Sequence, residues 1–194
     1  FVLVLLSRIP FLGGGYGIEE DSWGIALAAF HSHSSGVYEP SRLPGHPGQE
    51  YLLSLLWGIG SYWFNFLSAC FSALAAVYVA KILRQLKFKQ YWIAALAFSF
   101  IPVFYISSTY TIDFVWTEAF VLMSLYALMN ESFLISGIWI GLAITCRITS
   151  GAMFLPFLFL LWNAGDVKQT IRRMLLIALP AGLITVIFFL PIYW

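Results

Sequence analysis

Residues 51–80 read YLLSLLWGIGSYWFNFLSACFSALAAVYVA, and the next ten read KILRQLKFKQ. The first thirty contain no charged residue. A helix needs about 20 predominantly apolar residues to cross the hydrocarbon core of a bilayer. The stretch therefore predicts a membrane-spanning helix over Tyr51–Ala80. The cluster Lys81, Arg84, Lys87 and Lys89 closes it, as basic residues close the cytoplasmic ends of such helices.

Working outward, the same pattern repeats. The chain predicts helices over about Tyr91–Ile106, Asp113–Met129, Phe133–Ile148 and Ser150–Trp162, and from Met174 to the end. Short polar connectors lie at Ser107–Thr111 and Asn130–Ser132, and a longer one at Asn163–Arg173. Upstream, Phe1–Leu12 reads as the end of a first helix, stopped near Pro10 and Gly13-Gly14-Gly15. The run Phe1–Leu6 is too short to cross a bilayer and lacks the features of a signal peptide. Both ends therefore read as cut, with helix 1 lacking its beginning and a helix running out at Trp194. The fold expected is all-α: a polytopic transmembrane bundle of about seven helices, the first truncated, forming one membrane domain over 1–194. Gly137 and Gly141 have the small-xxx-small spacing that lets helix backbones approach closely.

Composition agrees. Hydrophobic residues make up 61% of the 194, charged residues only 10%, and mean hydropathy is +0.86. Soluble domains average about 25% charged residues, so this composition excludes an ordinary soluble enzyme. The net charge of +1 also excludes an electrostatic nucleic-acid binder. Cys70 and Cys146 both lie in apolar stretches and read as packing residues.

Charge position gives the orientation. With 81–90 cytoplasmic, alternation places 130–132 and 163–173 on the same side. That side then carries seven of the ten Lys and Arg, leaving Arg8, Arg42 and Arg147 outside. Acidic residues divide the other way. Glu19, Glu20, Asp21, Glu39, Glu50, Asp113 and Glu118 are outside, against Glu131 and Asp166 inside. Acidic residues contribute little to topology, so this second asymmetry calls for a polar site on the outer face.

The long polar stretch, residues 13–50, forms the first outer loop. Glu20–His33 reads as an amphipathic helix, followed by a Pro/Gly-rich segment over Tyr38–Gly48. Three adjacent carboxylates, Glu19-Glu20-Asp21, open that helix. They either complement its N-terminal dipole or supply a general base for a hydroxyl acceptor; they could also help hold a divalent cation, Mg or Mn. Glu118, inside a membrane helix, is either a site residue or a protonated carboxyl bonding between helices. Arg147 suits a phosphate, or snorkels, or pairs with Glu118. His31, His33 and His46 share the loop, but no clustered third ligand supports zinc. Gly13-Gly14-Gly15 lacks the Gly-Lys-Ser/Thr ending of a phosphate loop.

The order of these features resembles a known family. Arg8-x-Pro10 closes helix 1, Asp21 ends the acidic cluster, and Gly36-x-Tyr38 follows. Pro44-Gly45-His46-Pro47 then precedes a helix starting Glu50-Tyr51-Leu52. Later, Gly141-Leu142-Ala143 leads into Arg147 and Leu155-Pro156. The chain is similar to the N-terminal half of the GT-C superfamily of membrane glycosyltransferases, which includes protein O-mannosyltransferases and aminoarabinose transferases. The resemblance implies juxtamembrane helices in the first outer loop and transfer of a sugar from a polyprenyl-phosphate carrier to an acceptor. It further implies Asp21 as the catalytic acid/base, with Glu20 as fallback. Asp113, Glu118, Arg147, Arg42 and His46 would then line the substrate site. The sequence departs from the family at Asp21, which precedes Ser22 instead of Glu. A bacterial inner membrane is the expected setting, and membrane lipid, the lipid-linked sugar and an acceptor the expected partners. Two competing readings are a non-catalytic scaffold subunit of a larger membrane complex and a transporter. Charge crowded at one mouth disfavours the transporter, whose ionisable groups belong near the midplane.

Overall fold

The computed structural model describes residues 1–162 and 164–193. Asn163, expected to open the polar connector, and Trp194, the expected end of a helix, lie outside the described residues. Within them the chain is all-helical, with ten α-helices joined by turns and short 3-10 segments. These are α1 (Val2–Arg8), α2 (Glu20–Ser35), α3 (Pro47–Leu55), α4 (Ser61–Gln85) and α5 (Tyr91–Ser99). They continue as α6 (Pro102–Ser107), α7 (Phe114–Met129), α8 (Phe133–Cys146), α9 (Phe154–Leu161) and α10 (Val167–Phe189).

The expected seven helices are thus more broken than their apolar runs suggest. The run 51–80 divides at Gly58-Ile59-Gly60, where Gly60 takes φ +83°, a conformation open to glycine and costly for other residues. Pro102 opens α6 and splits the run 91–106, because proline starts a helix readily but does not continue one. The segment 148–153 is 3-10, which shortens the sixth predicted helix to α9. The last helix begins seven residues earlier than expected. Asp166 caps it by accepting from Gln169 N at 2.9 Å, so Lys168, Arg172 and Arg173 belong to its first turns.

Two helices, α4 and the run 167–192 that contains α10, are long and apolar enough to cross a membrane. Only 11% of the most apolar stretch of the latter is buried within the molecule. Leu175, Leu179, Leu183, Val186 and Ile187 are all more than half exposed along it.

Packing runs in the order α1–α4–α7–α8–α10. Val4 of α1 meets Ala73 and Ala76 of α4. Trp116 of α7 stacks on Phe71 of α4 at 4.3 Å and donates through Nε1 to Ser68 Oγ at 3.0 Å. Ser124 of α7 donates to the Ser136 carbonyl of α8 at 2.8 Å. Gly137 and Gly141 lie directly against α10. A Cβ at Gly137 would collide with the Ile177 carbonyl and Pro180, and one at Gly141 would sit 2.9 Å from Ala181 Cα. The small-xxx-small pair is the α8–α10 contact.

Arg8 is wholly buried without a carboxylate partner among the described residues. It donates to Ser108 Oγ at 3.1 Å and to the Ser99 and Val4 carbonyls, and lies over Tyr105. Its role is to tie α1 to the α5–α6 segment.

Candidate functional site

The site lies at the end of the bundle where α4 and α7 begin and α8 ends, beneath α2 and α3. Asn65, one turn into α4, fixes this end. Its amide donates to the Leu12 and Gly15 carbonyls at 2.9 and 2.7 Å, and its carbonyl accepts from Thr111 at 3.0 Å. Glu19 is tied to the same platform by Tyr110, whose hydroxyl donates to it at 3.0 Å. Burial pushes the Tyr110 hydroxyl above the usual tyrosine pKa, and the hydrogen bond to Glu19 adds to that.

α2 carries Glu20 and Asp21 in its first turn, where carboxylates complement the helix dipole. It stops at Gly36, a left-handed residue at φ +72° whose N–H returns to Ser32 O at 3.1 Å. The chain then folds back as a loop over 37–46, organised around Glu50. That carboxylate is fully buried in the first turns of α3. It accepts from Ser41 N at 3.0 Å, from His46 N at 2.9 Å and from the Tyr38 hydroxyl. Burial, reinforced by the Glu50 charge and hydrogen bond, pushes the Tyr38 hydroxyl well above its ordinary pKa. Gly48 leaves room for Thr145, where a Cβ would overlap the threonine hydroxyl. The head of α3 can therefore sit on the end of α8.

This scaffold brings five side chains into one row. Arg42 Nη1 donates to Asp21 Oδ1 at 2.7 Å, and its Nε donates to His46 Nε2 at 3.3 Å. His46 Nδ1 lies 2.6 Å from the Cys146 carbonyl. A carbonyl only accepts, so Nδ1 carries the proton and Nε2 is free to accept from Arg42. Behind the ring, Asp113 Oδ2 lies 3.7 Å from His46 Nδ1 and accepts from Arg147 Nη1 at 3.0 Å. Asp113 is entirely buried, and its other oxygen, Oδ1, makes no hydrogen bond among the described residues. Arg147 keeps 30% of its side chain exposed and lies over the Phe114 ring at 4.2 Å. Asp21, Arg42, His46, Asp113 and Arg147 thus form one row, with the ion pairs Asp21–Arg42 and Asp113–Arg147 on either side of the His46 ring and Asp113 its most buried member. In front of Asp21, Arg42 and His46 opens a cleft of about 330 Å³, lined also by Glu20, Gly24 and Ser41.

The residues read from sequence as a site fall into two groups. Asp21, Arg42, His46, Asp113 and Arg147 meet, and Glu20 lines the cleft beside them. Glu118 stands apart: half-buried on α7, it makes no hydrogen bond or ion pair among the described residues. The partner of Arg147 is Asp113, not Glu118. The other two histidines are elsewhere, His31 beside Glu39 at 3.1 Å and His33 against the Ser54 carbonyl at 2.9 Å. Glu50, Tyr38 and Asn65 escape sequence reasoning. Glu50 carries a usable signal: Pro47 is well placed as a first helical residue, which starts the helix upstream of Glu50.

A divalent cation does not fit this donor set. Among the described residues no group of three or more His, Cys, Asp or Glu is gathered. Guanidinium groups already face Asp21 and Asp113. What the arrangement offers is two partly exposed cations, Arg42 and Arg147, and an accessible carboxylate at Asp21, 36% exposed. Comparisons with protein-family models, curated proteins and solved structures find no match to this chain.

Proposed function

We propose that this chain is the multi-pass membrane module of a glycosyltransferase that moves a sugar from a polyprenyl-phosphate carrier to an acceptor at the extracytoplasmic face. The observation that carries it is the row Asp21–Arg42–His46–Asp113–Arg147, assembled from positions up to 126 apart at one end of the bundle. The exposed apolar faces support the membrane setting. A soluble protein rarely leaves contiguous apolar patches of this extent in water, and here they run along α10 and its neighbours. The broken helices α5 and α6 count as one crossing, giving seven in all with α1, α4, α7, α8, α9 and α10. The basic segments 81–90 and 164–173, including the end of α4 and the start of α10, then lie at the cytoplasmic side.

The chemistry follows from the two kinds of group at the cleft. The acceptor hydroxyl gives its proton to the free oxygen of Asp21, as Oδ1 is held by Arg42. The acceptor oxygen attacks the anomeric carbon. The bond from that carbon to the phosphate oxygen breaks, and polyprenyl phosphate leaves with the electron pair. Arg42, which lines the cleft and has N–H donors left over, faces that charge. Asp113 is buried too deeply to meet a substrate and holds Arg147 in place.

One observation favours the alternative of a non-catalytic subunit: each carboxylate in the row is already paired with a guanidinium. Binding of a short carrier analogue separates the two. The full chain in detergent is expected to bind farnesyl phosphate, and Arg42→Gln to weaken that binding about tenfold, one lost charge-assisted contact. A parent chain that binds no polyprenyl phosphate favours the scaffold.

A further inference from the structure

The opposite end of the molecule carries a second organised surface. Lys81 and Arg84 project from the last turns of α4, and Lys168, Arg172 and Arg173 from the first turns of α10. The α7–α8 turn lies between them. Gln85 of α4 donates to the Met129 carbonyl at 3.2 Å, and Arg173 of α10 lies 3.6 Å from Glu131. The two basic clusters therefore bracket one turn, and Lys87 and Lys89 extend the α4 side. Seven cations share this end with two acids. Asp166 is engaged as the α10 cap, and Glu131 meets Arg173. Among the described residues, the other six cations have no carboxylate within salt-bridge distance.

These cations stand at the rim of apolar surface. A groove of about 380 Å³ opens between the head of α8 and α10, lined by Phe133, Leu134, Ile135 and Leu176 with Glu131 and Ser132 at its polar end. Arg173 lies over the Phe133 ring at 5.4 Å. Arg172 and Arg173 precede Leu176 by one helical turn, so the charged and apolar groups share a face of α10. A phosphate beside an aliphatic tail has this profile: the anion meets the guanidinium groups, and a hydrocarbon chain runs along the groove. A nucleic acid or a free anion would leave the apolar groove unused.

We infer that this end of the bundle is a docking site for an anionic phospholipid, its phosphate held by Arg172 and Arg173 and one acyl chain lying in the α8–α10 groove. The site rests on the membrane-spanning part of the proposed function and is independent of the transferase chemistry. A bound lipid stabilises the folded state by mass action and fastens α10 to the α7–α8 turn.

The test is thermal unfolding of the full chain in detergent with phosphatidylglycerol, phosphatidylcholine or inorganic phosphate added. Phosphatidylglycerol is expected to raise Tm by about 5 °C over phosphatidylcholine. The double variant Arg172→Gln/Arg173→Gln is expected to lose that difference while keeping its Tm in phosphatidylcholine. Should that variant fail to fold, Leu176→Trp, which fills the groove and leaves both arginines, is expected to lose the shift as well. Equal Tm values in the two lipids, or a folded variant that keeps the shift, overturn the site. An equal shift from inorganic phosphate reduces it to a bare anion site and overturns the lipid. A chain that stays soluble without detergent and ignores vesicles overturns the membrane reading itself, an outcome distinct from the others.

Discussion

His46 accepts a hydrogen bond from Arg42 Nε at 3.3 Å, and this contact joins two charge pairs that would otherwise be separate. On one side of it Arg42 meets Asp21 in the open cleft; on the other, Asp113 meets Arg147 behind the ring. The acceptor role of Nε2 depends on the proton on Nδ1 staying against the Cys146 carbonyl. His46→Gln keeps one acceptor and one donor and is expected to retain the link. His46→Leu is expected to free Arg42 and weaken farnesyl phosphate binding severalfold with little change in Tm, read by binding and unfolding on the same samples.

Asp113 holds the buried end. Removing one partner of a buried ion pair leaves the other uncompensated, at a cost of about 3–5 kcal/mol when both are fully buried. Arg147 remains 30% exposed, so Asp113→Ala is expected to cost less, about 2–3 kcal/mol. Denaturation in mild detergent measures it. Stability equal to that of the parent would show that the pair does not hold this end of α7 and α8 together.

Glu50 organises the loop that carries Arg42 and His46. Glu50→Ala strands three donors that now share its oxygens. The expected loss is about 3 kcal/mol, from buried donors left unpaired, with faster proteolysis between residues 36 and 46. Limited proteolysis followed by mass mapping checks both the site and the rate.

Alkaline pH acts on the same loop through Tyr38. Its folded pKa is raised, chiefly by burial, above an unfolded value of about 10. The folded state thus keeps a proton that the unfolded chain has lost. The associated stability is complete below pH 10 and falls as pH rises beyond it. Tyr16, Tyr51 and Tyr110 shift the same way, so the parent is expected to lose stability above that pH. Tyr38→Phe is expected to make the loss less steep, as a series of unfolding curves would show.

Two glycines predict opposite signs. Gly137→Ala drives a methyl into the Ile177 carbonyl and Pro180. The expected cost is about 1–3 kcal/mol from overpacking, outweighing the gain of about 1 kcal/mol in helix propensity. Gly182, inside α10, has nothing within 4 Å of an added Cβ. Gly182→Ala is expected to stabilise by about 0.5–1 kcal/mol. Paired unfolding curves test the α8–α10 contact directly.

Much of the site was legible because charge is rare in this sequence. With so few ionisable residues, Asp21, Arg42, His46, Asp113 and Arg147 stand out, and all five meet. Glu118 stands out for the same reason yet has no hydrogen-bond or ion-pair partner among the described residues, since a lone carboxyl in an apolar run does not reveal which side of its helix it occupies. Glu50 is harder to assign: the apolar run starts the helix at about Tyr51 and the resemblance at Glu50, and neither shows that the carboxylate turns back to hold the loop. The breaks at Gly60 and Pro102 were hidden by hydrophobicity, which counts apolar residues and is blind to a positive φ or a missing N–H. The early start of α10 was masked by Lys168, Arg172 and Arg173, polar residues that suit a loop and the exposed end of a helix equally well.

In the proposed transfer Asp21 takes a proton from an acceptor while a carrier phosphate departs beside Arg42. The most direct measurement is sugar release from a radiolabelled polyprenyl-phosphate sugar by the full chain and by Asp21→Asn, with insertion and farnesyl phosphate binding monitored in both. The expected result is turnover in the parent and a loss of about 100-fold or more in the variant, with insertion and binding retained. Equal turnover in the two, or none in a parent that binds the carrier, would contradict it.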